Sequence, residues 1–317
     1  MAKLQSTEIV GVANRPATIC SNSVCLWFDT TNLKPMASYC GYAVGTWATG
    51  GALITARSSL AGAGTQNEGL VAGGYVNGNV SCAEEYNGTS WTAGGALITA
   101  RNGLAGAGTQ NVGLAAGGLT NVAVSCTEEY NGTSWSAGGA LITAIRNLAG
   151  AGTQNEGLAA GGKSGTNLSC TEEYNGTSWS VGGVLATARY LVAGVGTQNA
   201  GLAVGGFSNA YLSCTEEYNG TSWSAGGALS TTRGHVAGAG TQNAGLVAGG
   251  YVSGNVSCAE EYNGTSWSAG GALITARRDF AGAGTQNVGL VAGGYSNAIV
   301  SCTEEYNKPL IIVDCIL

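Results

Sequence analysis

Eight side chains stand out in an otherwise repetitive sequence: Tyr75, Lys163, Tyr190, Phe207, Tyr251, Arg278, Phe280 and Tyr295. Aromatic and cationic groups set among Asn and Ser offer stacking faces and hydrogen-bond donors, the chemistry of a surface that grips a sugar ring or docks a protein. Other reactive groups are sparse. His235 is the only histidine, and a catalytic imidazole needs a base, nucleophile or metal beside it. Placed two residues after Arg233, it reads as one variable loop residue. Glu84 and Glu85, with five further copies of the pair, suggest acid–base work or calcium. Adjacent strand residues point to opposite faces, so neither a glycosidase dyad nor a shared metal cage follows. A motif present six times is structural, since an active site is normally one place.

Of ten cysteines, Cys82, Cys126, Cys170, Cys214, Cys258 and Cys302 recur at one position in successive units, too far apart to bridge. They read as small buried hydrophobes. Cys20, Cys25, Cys40 and Cys315 stand apart, free either to pair or to hold a metal. The Cys20–Cys25 spacing is too wide for a zinc knuckle. No metal, cofactor or catalytic residue is expected. Asn87-Gly88-Thr89 and its copies are formal glycosylation sequons, but Asn-Gly is also a type I′ hairpin signal.

The elements that must position these groups are set by a repeat. Trp47, Trp91, Trp135, Trp179, Trp223 and Trp267 recur every 44 residues, as do the strings beginning Gly64-Thr65-Gln66-Asn67. A period of this size marks a solenoid or propeller, in which a unit buries its apolar face only against a neighbour. Within one unit the turn signals delimit four strands: Leu60 to Gly64, Gly69 to Ala72, Val80 to Tyr86, and a fourth from Trp91. Glycine is too frequent for helices, at 55 of 317 residues.

The Gly73-Gly74 pair ending the second strand, the Tyr86 and Trp91 that follow, and Arg57 ahead of the first strand resemble the kelch repeat. The resemblance covers almost the whole chain and implies a β-propeller of four-stranded antiparallel blades. The Tyr-to-Trp gap is shorter than is usual in kelch, and the period is nearer that of WD40, whose Gly-His and Trp-Asp pairs are missing. Copper oxidases on kelch-like propellers need more than one histidine at the metal, which excludes that activity here.

Seven blades are expected. Tyr42 aligns with Tyr86, Trp47 with Trp91 and Leu26 with Leu70, so residues 13–56 read as a degenerate first blade ahead of six regular repeats over 57–306. Either the N-terminal strand within 1–12 or the C-terminal strand within 307–317 then closes the ring. The alternative has six blades, with Trp47 closing the ring and residues 1 to 40 forming a docking arm. Period-two alternation places Glu84 and Glu85 on opposite faces, and one glutamate of each pair meets the Arg of its blade.

The copies differ in two places, after Gly-Gly and after the repeated Arg, where the third copy (Ile145-Arg146-Asn147) reads as shifted. In a propeller both segments open on one face, which makes that face the binding face. A net charge of −6 with 12 basic residues argues against a nucleic-acid surface. No secretory h-region or membrane-length apolar run is seen. The near-identity of the copies, the low charge and the missing signal resemble kelch-like repeat proteins of tailed-phage particles. That resemblance implies a non-enzymatic virion component, decorating capsid or tail or contacting the host, whose partners are protein subunits or a surface glycan. The other expectation is a bacterial carbohydrate-binding propeller outside any virion, cytoplasmic or exported without a signal.

Overall fold

The computed structural model describes residues 11–12, 24–29 and 34–316, with side chains over 43–310. It divides into two units, Thr46–Asn307 and a smaller one comprising Met1–Gly45 with Lys308–Leu317. The larger unit is a propeller of six four-stranded antiparallel blades. Blade 1 runs outward through Ala61–Gly64, Gly69–Ala72, Ala83–Tyr86 and Trp91–Gly94. Blades 2 to 5 repeat that order, with inner strands Ala105–Gly108, Ala149–Gly152, Ala193–Thr197 and Ala237–Thr241. Blade 6 is composite. Ala281–Gly284, Val288–Ala292 and Thr303–Asn307 receive their outer strand from Thr46–Gly50, with Trp47 opposite Tyr306 as Trp91 is opposite Tyr86.

The expected seven blades are therefore six. Trp47 marks no degenerate first blade but the outer strand of the last one, carried at the other end of the repeat array. The proposed C-terminal closing strand does not serve that purpose. Leu310–Ile316 pairs instead with Lys34–Tyr42, in a separate sheet with Val24–Asp29 and the short parallel strand Gly11–Val12. Most of the Thr7 to Val12 run lies outside the described residues. So does Cys20, and so do the side chains of Cys25, Cys40 and Cys315.

Alanine and glycine in the inner strands let six of them crowd around one axis. A Cβ added at Gly106 would lie 2.5 Å from the Gly62 carbonyl oxygen, so any larger residue would force the blades apart. Outside this ring the apolar clusters span neighbouring blades; Leu70 and Ala72 of blade 1 pack with Ala115, Tyr130 and Trp135 of blade 2. Every Tyr–Trp pair is in tilted ring contact, with centroids 4.8–4.9 Å apart.

The polar repeat residues fix the blades to one another. The first glutamate of each pair is buried within its own blade. Glu84 meets Arg57 at 2.9 Å, and Glu128, Glu216, Glu260 and Glu304 meet Arg101, Arg189, Arg233 and Arg277. These five arginines are fully buried. The second glutamate reaches across to the next blade: Tyr130 donates its hydroxyl to Glu85, and the same bond closes the ring from Tyr86 to Glu305. Burial first, and then this carboxylate, push the Tyr86, Tyr130 and Tyr174 phenols up to about 12. Each repeat Gln also donates to two carbonyls of the preceding blade; Gln110 bonds Gly69 and Tyr86.

Two expectations are corrected in detail. The six repeat cysteines are half-buried and free rather than fully buried hydrophobes. Arg57 Nη1 donates to Cys82 Sγ at 2.6 Å. The Asn-Gly hairpin is not a type I′ turn either. Tyr86 pairs with Trp91 around a four-residue loop, and Asn87 Oδ1 accepts the N–H groups of Thr89 and Ser90.

Candidate functional site

The two variable segments are brought side by side by backbone bridges. Gly73 and Gly74 both take positive φ (65° and 113°), a conformation that swings the chain out of the second strand. The residue after them then bridges both the residue following the repeated Arg and a third residue four positions on. Each blade thus presents a triplet on the same face. The triplets are Ser58, Tyr75 and Asn79; Asn102, Leu119 and Ala123; Arg146, Lys163 and Asn167; Tyr190, Phe207 and Tyr211; Gly234, Tyr251 and Asn255; and Arg278, Tyr295 and Ile299.

Blade 3 is not out of register. Ile145, 1% exposed, occupies the buried arginine position, and Arg146 bridges Lys163 as Ser58 bridges Tyr75. Its carboxylate, Glu172, keeps the N–H groups of Ile142 and Thr143 as donors. Burial, and then Glu172, push the neighbouring Cys170 thiol up.

From blade 3 to blade 6 the triplets merge into a continuous ledge. Lys163 Nζ lies 4.8 Å over the Tyr190 ring. Tyr190 meets Phe207 edge-on at 5.7 Å, and Phe207 meets Tyr211 at 5.0 Å. Tyr211 lies 5.7 Å from Tyr251, and the Arg278 guanidinium lies over both Tyr251 (4.6 Å) and Tyr295 (4.9 Å). Six of the eight residues singled out from the sequence join in this way. Tyr75 is exposed on blade 1 and makes no ring or cation contact with the ledge. Phe280 is a correction: at 6% exposure it packs with Leu246, Leu273 and Tyr306 in the core and lines the channel mouth instead of the ledge.

The mouth itself was not anticipated. The next residue of each blade, Ser59, Gly103, Asn147, Leu191, His235 or Asp279, has φ between 54° and 60°. In this conformation each donates its N–H to the carbonyl of its counterpart in the preceding blade, from Gly103 to Ser59 (2.8 Å) around to Ser59 and Asp279 (2.7 Å). Six backbone hydrogen bonds form a closed circle. Their side chains rim a cavity of about 110 Å³ at the end of the axial channel.

Within this rim His235 Nδ1 donates to Asp279 Oδ1 at 2.5 Å. The imidazole also touches the ledge, 6.5 Å from Tyr211 and 6.3 Å from Tyr251 between centroids. His235, read as an incidental loop residue, is thus a member of the site, and so is Tyr211. Both stand at positions that change from copy to copy, which was the available signal. Burial and then Tyr251 push the Tyr211 phenol up, keeping it a hydrogen-bond donor. Among the described residues no cluster of His, Cys, Asp and Glu is arranged to hold a metal. What the ledge offers is a row of rings with Lys163 at one end, Arg278 between its last two rings, and an oriented imidazole beside Tyr211 and Tyr251.

No protein-family model and no curated protein sequence matches the chain. Among solved structures it is similar to YjhT, with a TM-score of 0.70 and 11% identity, over 83% of this chain and 99% of that one. The likeness is one of fold. It supports a propeller of four-stranded blades, and the ledge is argued from this chain's own residues.

Proposed function

We propose that this chain is a non-enzymatic binding propeller of the kelch-like kind, a component of a tailed-phage particle that contacts a carbohydrate through the ledge. The observation that carries the reading is the contrast between the two sets of repeat residues. Those that build the ring hardly vary, whereas the triplets diverge, and on four adjacent blades they diverge into one connected aromatic surface. Scattered exposed aromatics need no explanation, but a contiguous patch marks a contact site. Edge-on and offset rings with polar tips suit the flat C–H faces and hydroxyls of sugars. The virion placement rests on the near-identity of the copies and the low charge.

Affinity electrophoresis through immobilised polysaccharides tests the binding role. Phe207→Ala and Tyr251→Ala each weaken retention by about tenfold, as expected when about 1.4 kcal/mol of ring contact is lost, while Tyr75→Ala leaves it unchanged. Retention unaffected by both ledge variants would refute the site. Electron microscopy of the protein purified from its source with its partners attached tests the placement. Rings fixed in a repeating assembly support the virion, and isolated rings favour a carbohydrate-binding protein outside one.

A further inference from the structure

The charges of the ring are sorted by face. Within Thr46–Asn307 five arginines are fully buried, each against a glutamate. The remaining cations are Arg146, Lys163 and Arg278, and all three belong to the triplet face. Arg146 and Lys163 are backbone-bridged neighbours on blade 3, and Arg278 stands on blade 6 at the other end of the ledge. Each retains partial exposure. Carboxylates are distributed the opposite way. Twelve of the glutamates form the buried pairs and inter-blade bonds or occupy those same repeat positions, and Glu68 and Glu156 are exposed in the turns between the first and second strands, at the far end of the blades. The only acid on the triplet face, Asp279, is engaged by His235 at 2.5 Å and by Arg278 Nε at 3.5 Å.

In a chain with net charge −6, the unit Thr46–Asn307 therefore turns a positively charged, aromatic surface outward on one of its faces. Cation–ring contact holds Lys163 and Arg278 in place along the row of rings, at little further entropic cost on binding. Their N–H donors flank the stacking surface, and a guanidinium offers a paired set of donors suited to an acid group. Resting on the binding role proposed above, we infer that the ligand is an acidic polysaccharide: sugar rings stack along Tyr190, Phe207, Tyr211 and Tyr251, and acid groups on the chain are met by Lys163 and Arg146 at one end and by Arg278 at the other. Neutral glycans would offer these three cations no acid group to meet.

The test uses the full chain and three soluble polymers: polygalacturonate, dextran sulfate and unmodified dextran. Retention by at least one acidic polymer and not by dextran is expected. It falls at least tenfold in the triple variant R146Q/K163Q/R278Q, falls with added salt, survives R278K, and is unchanged in the far-face control E68Q/E156Q. Whether polygalacturonate or dextran sulfate is preferred tells which acid group is read. Because the three cations take no part in the buried pairs, the triple variant should keep the wild-type circular dichroism spectrum, which is measured alongside. Dextran bound as tightly as the acidic polymers, by wild type and triple variant alike, overturns the acidic ligand and leaves the glycan-binding role intact. Failure to bind any of the three overturns both.

Discussion

Replacing Arg277 by isoleucine asks blade 6 to adopt the arrangement that blade 3 already has. Arg277 Nη2 lies 2.7 Å from Glu304 Oε1, and its Nη1 donates to the carbonyls of Gly293 and Cys302. Removing one partner of a buried pair costs about 3–5 kcal/mol, because the remaining charge is left without its counter-charge. Two features reduce the loss. A buried isoleucine recovers about 1.5–3 kcal/mol of apolar burial, and Glu304 keeps the N–H groups of Ile274 and Thr275. The expected net effect is a destabilisation of about 2 kcal/mol. Ile145→Arg is the reverse exchange in nearly the same surroundings, with Glu172 waiting in the glutamate position, so it should stabilise by about the same 2 kcal/mol. Equilibrium urea unfolding followed by tryptophan fluorescence reads both, and an unchanged m-value makes the midpoints comparable. Two shifts of the same sign would refute the reasoning, because they would mean that each blade is tuned around its own residue and that the repeat sites are not equivalent.

Trp135 supplies a second test. Trp91, Trp179, Trp223 and Trp267 donate their indole N–H to Thr303, Thr127, Thr171 and Thr215 of the preceding blade, whereas Trp135 Nε1 is buried without a partner because Ala83 stands in the threonine position. Ala83→Thr should stabilise the ring by about 1 kcal/mol, seen as a rise in the urea midpoint; a fall would show that the site cannot hold a hydroxyl. The inter-blade tyrosines make stability depend on alkaline pH. Their phenols rise from 10.0 to about 12 on folding, so the neutral form is favoured in the folded state. Their contribution is complete below pH 10 and is lost as the pH climbs toward 12. Thermal melting as a function of pH should therefore be level up to about pH 10 and drop steeply beyond it, and Tyr130→Phe should soften the drop. An equally steep fall in that variant would place its origin elsewhere.

Much of the architecture was legible because each repeat residue has one structural task performed six times. The four strands per unit, the Arg–Glu pairing and the shared face of the variable segments follow from alternation and turn chemistry, although the third strand begins at Ala83 rather than Val80. The blade count did not follow, since a one-dimensional alignment places Trp47 with the segment before it, Leu26 and Tyr42 included, whereas hydrogen bonding pairs it with Thr303–Asn307. That partner is distant in sequence and invisible to local pattern. The ledge was legible by composition, through Lys163, Tyr190, Phe207, Tyr251, Arg278 and Tyr295. Phe280 was misplaced because an aromatic after a surface residue looks the same in sequence whether it turns inward or outward. His235 and Tyr211 escaped notice for a different reason. Their partners, Asp279 and Tyr251, come from the next blade, and only the geometry of the ring makes them neighbours.

The composite sixth blade also sets a clock. Thr46–Gly50 is made before the first repeat, and its partner Thr303–Asn307 is the last segment of the sixth. At translation rates of about 5–20 residues per second, roughly 15–50 s separate the two. Throughout that interval the Trp47 strand has no ladder to join, and the growing array has an unpaired edge at its end. Blades assemble in sequence, but the ring becomes a ring only once. Its final step draws together the two most distant parts of the repeat array, and a chain cut short anywhere within the sixth repeat would carry a sticky strand and an open edge instead of a closed circle.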